Sequence, residues 1–214
     1  MNRPHSLTQR LLVLAPGKLA TRAAALGVAV VAALGVTTAV TAATSATAAS
    51  KTFSFGLQAS SAAITACLPN AAGQVTITTG SLNDTMKVTV TGMPPNTGFD
   101  LFVIQTPAAP FGISWYQTDI HAGSGGSGSA TVKGVFDTET FSVSPGGTTT
   151  VAPTHQYHLG LWFNNPNVPF NLGCEPGATS PIITPFNGIQ HAGIQVLNTA
   201  QFPVNAGPLS QVHR

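Results

Sequence analysis

The sequence predicts an all-β sandwich of about nine or ten strands, preceded by an export signal. Two observations carry the fold class. Between residues 50 and 214 apolar and polar residues alternate with the two-residue period of half-buried strands, and no stretch keeps the period of an amphipathic helix. Gly, Pro and Asn clusters punctuate these runs at short intervals, which leaves an α/β architecture nowhere to place its helices.

The N-terminal segment is set apart first. Arg3, Arg10, Lys18 and Arg22 form a basic region, Ala23 to Val40 runs without a charge, and Ala46-Thr47-Ala48 fits the small-x-small pattern of a cleavage site. Residues 1–49 are therefore expected to be a signal peptide and residues 50–214 a single β-sandwich domain. An uncleaved anchor is the alternative, since the apolar run lies at the lower edge of what spans a bilayer. The expected location is extracellular, with membrane contact limited to the signal.

The strands follow in order. Phe53, Phe55 and Leu57 alternate with Thr52, Ser54 and Gly56. Val75 and Ile77 lead through a Gly80 to Asp84 turn into Met86, Val88 and Val90, which predicts a hairpin. Gly92 to Gly98 breaks the pattern before Phe99 to Gln105 resumes it, and Ile113 to His121 leads into the glycine-rich stretch Gly123 to Gly128. A phosphate-binding loop needs a helix starting at its end; here Ala130 to Phe136 reads as a strand, so the loop is expected to be a connection between strands. Glu139 to Val143, a Ser144 to Gly147 turn, His155 to Phe163, a long connection from Asn164 to Gly188 and a last strand from Ile189 to Leu197 complete the set.

The segment Val88-Thr89-Val90-Thr91-Gly92-Met93-Pro94-Pro95-Asn96-Thr97-Gly98-Phe99-Asp100-Leu101-Phe102 resembles the strand, Leu-x-Pro turn and following strand of fibronectin type III and related immunoglobulin-like domains. Met93 stands at the Leu position, and Phe99 stands where the family has the tyrosine of its corner, so a phenol hydrogen bond cannot form there. The wider pattern, with Trp115 to Ile120 and Thr184 to Gly188, resembles uncharacterised secreted bacterial proteins. The resemblance implies an immunoglobulin-like sandwich and supplies no catalytic residue.

Charge excludes one class of function. Beyond the signal, Lys51, Lys87, Lys133 and Arg214 stand against six acidic residues, a net charge of −2. Nucleic-acid binding needs a clustered basic face, and this segment has none. The two cysteines, Cys67 and Cys174, are expected to form a disulfide in an oxidising compartment. Neither has a flanking cation to activate it as a nucleophile.

Candidate chemistry is sparse. In Thr154-His155-Gln156-Tyr157-His158-Leu159-Gly160-Leu161-Trp162-Phe163 the two histidines lie three residues apart, so a regular strand points them to opposite faces and cannot chelate one metal with both. Asp119 and His121, two apart, share a face. They support the alternative of a metal-dependent or hydrolytic enzyme, with a third ligand from His155, His158 or His191. The chain has no Gly-x-Ser-x-Gly elbow. A glycosidase would have to draw two carboxylates across a cleft from Asp119, Asp137, Glu139 and Glu175. The favoured expectation is a non-catalytic binding or structural protein without cofactor or metal. Its candidate surface comprises Trp115, Tyr116, Asp119, His121 and Trp162, facing an unidentified extracellular glycan or protein. The rival reading of the rings is a second core beneath the Asn164 to Gly188 connection.

Overall fold

Alternating burial along Phe55 and Leu57, Val75 and Ile77, and Met86, Val88 and Val90 turns three successive strands toward one core, as their sequence periodicity predicts. The computed structural model describes residues 50–136, 140–143, 150–185 and 191–212, with only the backbone described for 140–143 and 150–154. The signal segment, Asp137, Glu139 and the Ser144 to Gly147 turn lie outside the described residues.

The strands are β1 (Thr52–Ala59), β2 (Ala72–Thr78), β3 (Asp84–Thr91), β4 (Thr97–Ile104), β5 (Ser114–Ala122), β6 (Gly128–Gly134), β7 (Thr140–Val143), β8 (Thr150–Thr154), β9 (His158–Phe163), β10 (Thr184–Pro185), β11 (His191–Ala192) and β12 (Gln195–Asn198). Eight of them form an antiparallel sheet in the order β5-β4-β9-β12-β1-β2-β3-β6, while β7 pairs with β8 and β10 with β11. β1 serves both halves of the sheet: Thr52 to Leu57 pair with β2, and Gln58 and Ala59 pair with β12. The sheet thus folds over a single main core, with β5 and β6 as its two ends. The glycine loop joins those ends. It is closed by Gly123 N–H to Ser127 O at 3.0 Å, and it passes the chain to β6, which pairs with β3.

Two short helices, α1 (Ala62–Cys67) and α2 (Asn167–Asn171), were not anticipated. At six and five residues they are too short to display a helical period. Ser61 caps α1 by accepting the Ile64 amide at 3.2 Å. Its last residue, Cys67, is bonded to Cys174 just after α2, joining segments 107 residues apart. No helix among the described residues is long and apolar enough to cross a membrane.

The Met93 and Phe99 positions both enter the core. Asn96 has a φ of 53°, a left-handed conformation that asparagine tolerates, and it sets the turn into β4. Phe99 packs on Phe163 with ring centroids 5.2 Å apart, so apolar contact occupies the place of a phenol hydrogen bond.

The His155 to Phe163 expectation holds in its face assignment but not in its length. β9 begins only at His158, and His155 stacks on Tyr157 at 5.0 Å ahead of it. Leu159, Leu161 and Phe163 enter the main core, while His158, Gly160 and Trp162 face the other side. The expected Ile189 to Leu197 strand is divided into β11 and β12, and residues 186–190 lie outside the described set.

Candidate functional site

The outer face of β5-β4-β9 brings together most of the residues the sequence singles out, though not in the pairs it suggests. Register sets its rows. Gly98 lies opposite His121, Asp100 lies between Asp119 and Trp162, and Phe102 lies between Tyr116 and Gly160. Asp100 therefore has Asp119 on one neighbouring strand and Trp162 on the other.

Trp162 has to be withdrawn from the proposed surface, because it is 1% exposed. Its ring meets Phe102 edge-on at 5.5 Å and Phe111 at 4.9 Å, and Ile104 and Ala192 complete a second, smaller core. The cover comes from two segments. One is the β4–β5 loop, closed by Thr106 N–H to Phe111 O at 3.0 Å and tied down by Asn198 Nδ2 to Pro107 O at 3.1 Å; the other is β11. Gly160 leaves room for this arrangement: a Cβ there would lie 2.5 Å from Trp162 Cζ3 and 2.6 Å from Gln195 Nε2.

Trp115 and Tyr116 are on the surface, 52% and 50% exposed. They belong to opposite faces of β5, Trp115 in the row of Val103 and Tyr116 in the row of Phe102. Both are open because β5 ends the sheet. Between them and Asp119 the register shifts: Leu101 pairs with Thr118 and Phe102 with Tyr116, leaving Gln117 as a bulge residue. In a regular strand, residues three apart face opposite ways. The bulge turns Tyr116 and Asp119 to the same face, where the Tyr116 hydroxyl donates to Asp119 Oδ1 at 2.8 Å.

The Asp119 carboxyl meets that of Asp100 across the strand pair, where the two can hydrogen-bond through a shared proton. Asn164 Nδ2 donates to Asp100 Oδ1 at 2.9 Å, so the side chains form one line: Tyr116, Asp119, Asp100, Asn164. Asp119 is exposed, whereas Asp100 is only 5% exposed. Burial raises the Asp100 carboxyl to about 6; the Asn164 hydrogen bond works against this rise, and the hydrogen bond and charge of Asp119 add to it. Burial, followed by the hydrogen bond to Asp119 and the nearby carboxylate charges, pushes the Tyr116 phenol up to about 12, so it stays a donor.

Asp100 was not among the sequence candidates. The available signal was a lone acid within the apolar run Phe99 to Ile104, where a charge needs a partner. Asp119 and His121 do share a face, and His121 is exposed in the row of Gly98. The other histidines do not complete a site. His158 is fully buried, its Nε2 donating to the Val204 carbonyl at 3.0 Å and its Nδ1 accepting from the Thr199 hydroxyl at 2.9 Å. Burial lowers its pKa from the ordinary imidazole value, although backbone hydrogen bonds at Val204, Pro203 and Thr199 favour the charged form. Among the described residues no three His, Cys, Asp or Glu side chains are grouped to hold a metal ion. Glu175, beside the disulfide, accepts the Ile182 amide at 2.9 Å and serves as a loop tether.

Comparison of the chain with known protein families, with curated proteins and with solved structures finds no match.

Proposed function

We propose that this is a secreted, non-catalytic recognition protein of immunoglobulin-like architecture, whose binding surface is the aromatic rim of β5 and whose ligand is a carbohydrate. The observation that carries this reading is the Tyr116 platform. Its ring is half exposed, yet it is fixed by a hydroxyl bond to Asp119 at 2.8 Å and by edge contact with Phe102 at 5.6 Å. A ring held in place loses little freedom on binding. Pyranose C–H faces pack on such rings, and the exposed Asp119 carboxylate beside it is an acceptor for sugar hydroxyls.

The strand order supports the immunoglobulin-like reading. β2, β3 and β6 take the places of strands A, B and E, and β5, β4, β9 and β12 those of C′, C, F and G, with β1 added. Secretion is supported by the basic and apolar order of residues 1–49 and by the Cys67–Cys174 bond.

A glycosidase needs two carboxyls separated by the width of a glycosidic bond or by that bond and a water. Asp100 and Asp119, opposite each other in the β4–β5 register, interact directly, which weighs against such a gap between them. The binding reading is tested on a glycan array probed with the domain and with a Trp115→Ala/Tyr116→Ala variant. Sugar-specific signal that the variant loses supports it; silence with the native domain rejects the carbohydrate assignment and leaves a protein ligand.

A further inference from the structure

The Asp100 and Asp119 side chains are placed face to face by the β4–β5 register, with no lysine or arginine on β4, β5 or β9. The elements packed around the pair bring few other titratable groups. β5 contributes Tyr116 and His121, and β9 contributes His158, at the far end of the face and already bonded to Thr199 and Val204. β11 contributes His191, next to the Ala192 that packs on Trp162. The β4–β5 loop, the segment from Asn164 to Asn171 and β12 contribute no charged or titratable side chain. Two carboxylates in this position repel each other without a compensating cation.

We infer that a single proton held between Asp100 and Asp119 acts as a latch, fixing Tyr116 and the β5 rim in acid and releasing them at neutral pH. With the proton in place, Asp100 donates to Asp119, and Asp119 keeps its other oxygen free to accept the Tyr116 hydroxyl. When the proton passes to water, the buried Asp100 retains its Asn164 bond. Asp119 is the exposed partner, so it is the one that swings into solvent, taking away the acceptor that orients Tyr116. β5 is a terminal strand of the sheet, with one hydrogen-bonded neighbour, so the change is confined to the rim. The raised value of the Asp100 carboxyl places the transition near pH 6. The consequence for binding rests on the recognition reading above; the latch itself does not.

Carboxyl-carbon NMR titration of the domain, with the Tyr116 ring signals and β5 amide exchange followed in parallel, tests the latch. The expected result is an inflection near pH 6 at Asp100 that the Tyr116 ring signals follow, with β5 amide protection falling above it beyond the intrinsic pH effect. Asp100→Asn replaces the shared proton with a permanent amide donor, so the inflection vanishes and Tyr116 stays in its acid position. His121→Gln keeps the inflection, which separates the carboxyl pair from imidazole titration. Titration of Asp100 below pH 4.5, or a Tyr116 signal that ignores the inflection, overturns the latch. Asp119→Asn, at an exposed position, provides a second folded variant, in which the Tyr116 signals must no longer follow Asp100. Array binding of equal strength at pH 5 and pH 7.5 overturns the regulatory role and leaves recognition standing. No array signal at either pH, with the NMR transition present, supports the latch and removes the recognition reading.

Discussion

Tyr116 and Asp119 lie three residues apart on one strand and are nevertheless hydrogen-bonded at 2.8 Å on the same face, because the bulge at Gln117 reverses the alternation between them. The bulge aligns Asp119 with Asp100 and Tyr116 with Phe102 at once. Deleting Gln117 removes the extra residue and leaves Tyr116 and Asp119 two apart on a regular strand, so they should stay on one face. The deletion variant is expected to keep both its far-ultraviolet spectrum and its near-ultraviolet tyrosine signal, whereas Asp119→Ala should lose the latter.

The carboxyl pair gives stability a particular pH dependence. Asp100 has a folded value of about 6, above its ordinary 3.8, so the folded state holds more protons in between. Its contribution is complete below about pH 3.8 and is lost as pH rises through 6. The Asp100→Asn variant should remove this term, on the order of 1–3 kcal/mol between pH 4 and 7, as read from urea midpoints.

His158 acts in the opposite sense. Burial lowers its folded pKa below the ordinary 6.5, so its contribution is present above pH 6.5 and is lost on acidification. In the native domain the two slopes oppose each other between about pH 4 and 6.5; in Asp100→Asn the His158 slope stands alone. Acid destabilisation from pH 6.5 to 5 should therefore be steeper in the variant. Parallel profiles would show that one of the two assignments is wrong. His158→Ala should flatten the acid slope and lower stability by about 2–4 kcal/mol, since it empties a fully buried site and removes the imidazole's hydrogen bonds to the Thr199 hydroxyl and the Val204 carbonyl.

Gly160 is the weak point of the second core. Gly160→Ala drives a methyl into Trp162 and the Gln195 amide, a clash of the overpacking kind that costs about 1–3 kcal/mol. Trp162 must shift or the strand must bend. A red-shifted tryptophan emission with a lowered thermal midpoint is the expected pair of observations; an unchanged spectrum would mean that the ring does not lie over Gly160.

The Cys67–Cys174 bond closes a long loop, and in the chain-entropy model a loop of that length contributes about 4–5 kcal/mol. The double serine variant should lose an amount of that order in denaturant titration. A thiol assay on the unfolded native protein should find no free thiol.

What the sequence made legible follows from what is local. Alternation in Phe53 to Leu57, Val75 to Ile77 and Met86 to Val90 reports strands directly, because each residue's environment there depends on its own strand's face. Trp162 misled because its face is covered by Phe111 and Ala192, from segments far away in the chain. Asp100 was overlooked for a related reason: its partner is decided by cross-strand register, and a single bulge residue shifts that register. The spacing of Asp119 and His121 correctly predicted a shared face. It could not show that Asp119 is engaged by Asp100 and Tyr116.

The proposed recognition of carbohydrate by the β5 rim through Trp115 and Tyr116 is measured most directly by glycan-array binding at pH 5, with the native domain and with the Trp115→Ala/Tyr116→Ala variant. Both rings are half exposed, so the variant should keep its stability to within about 1 kcal/mol. Carbohydrate binding by the native domain is expected, with at least a tenfold loss in the folded variant. Undiminished binding by the variant, or no binding by the native domain, would contradict it.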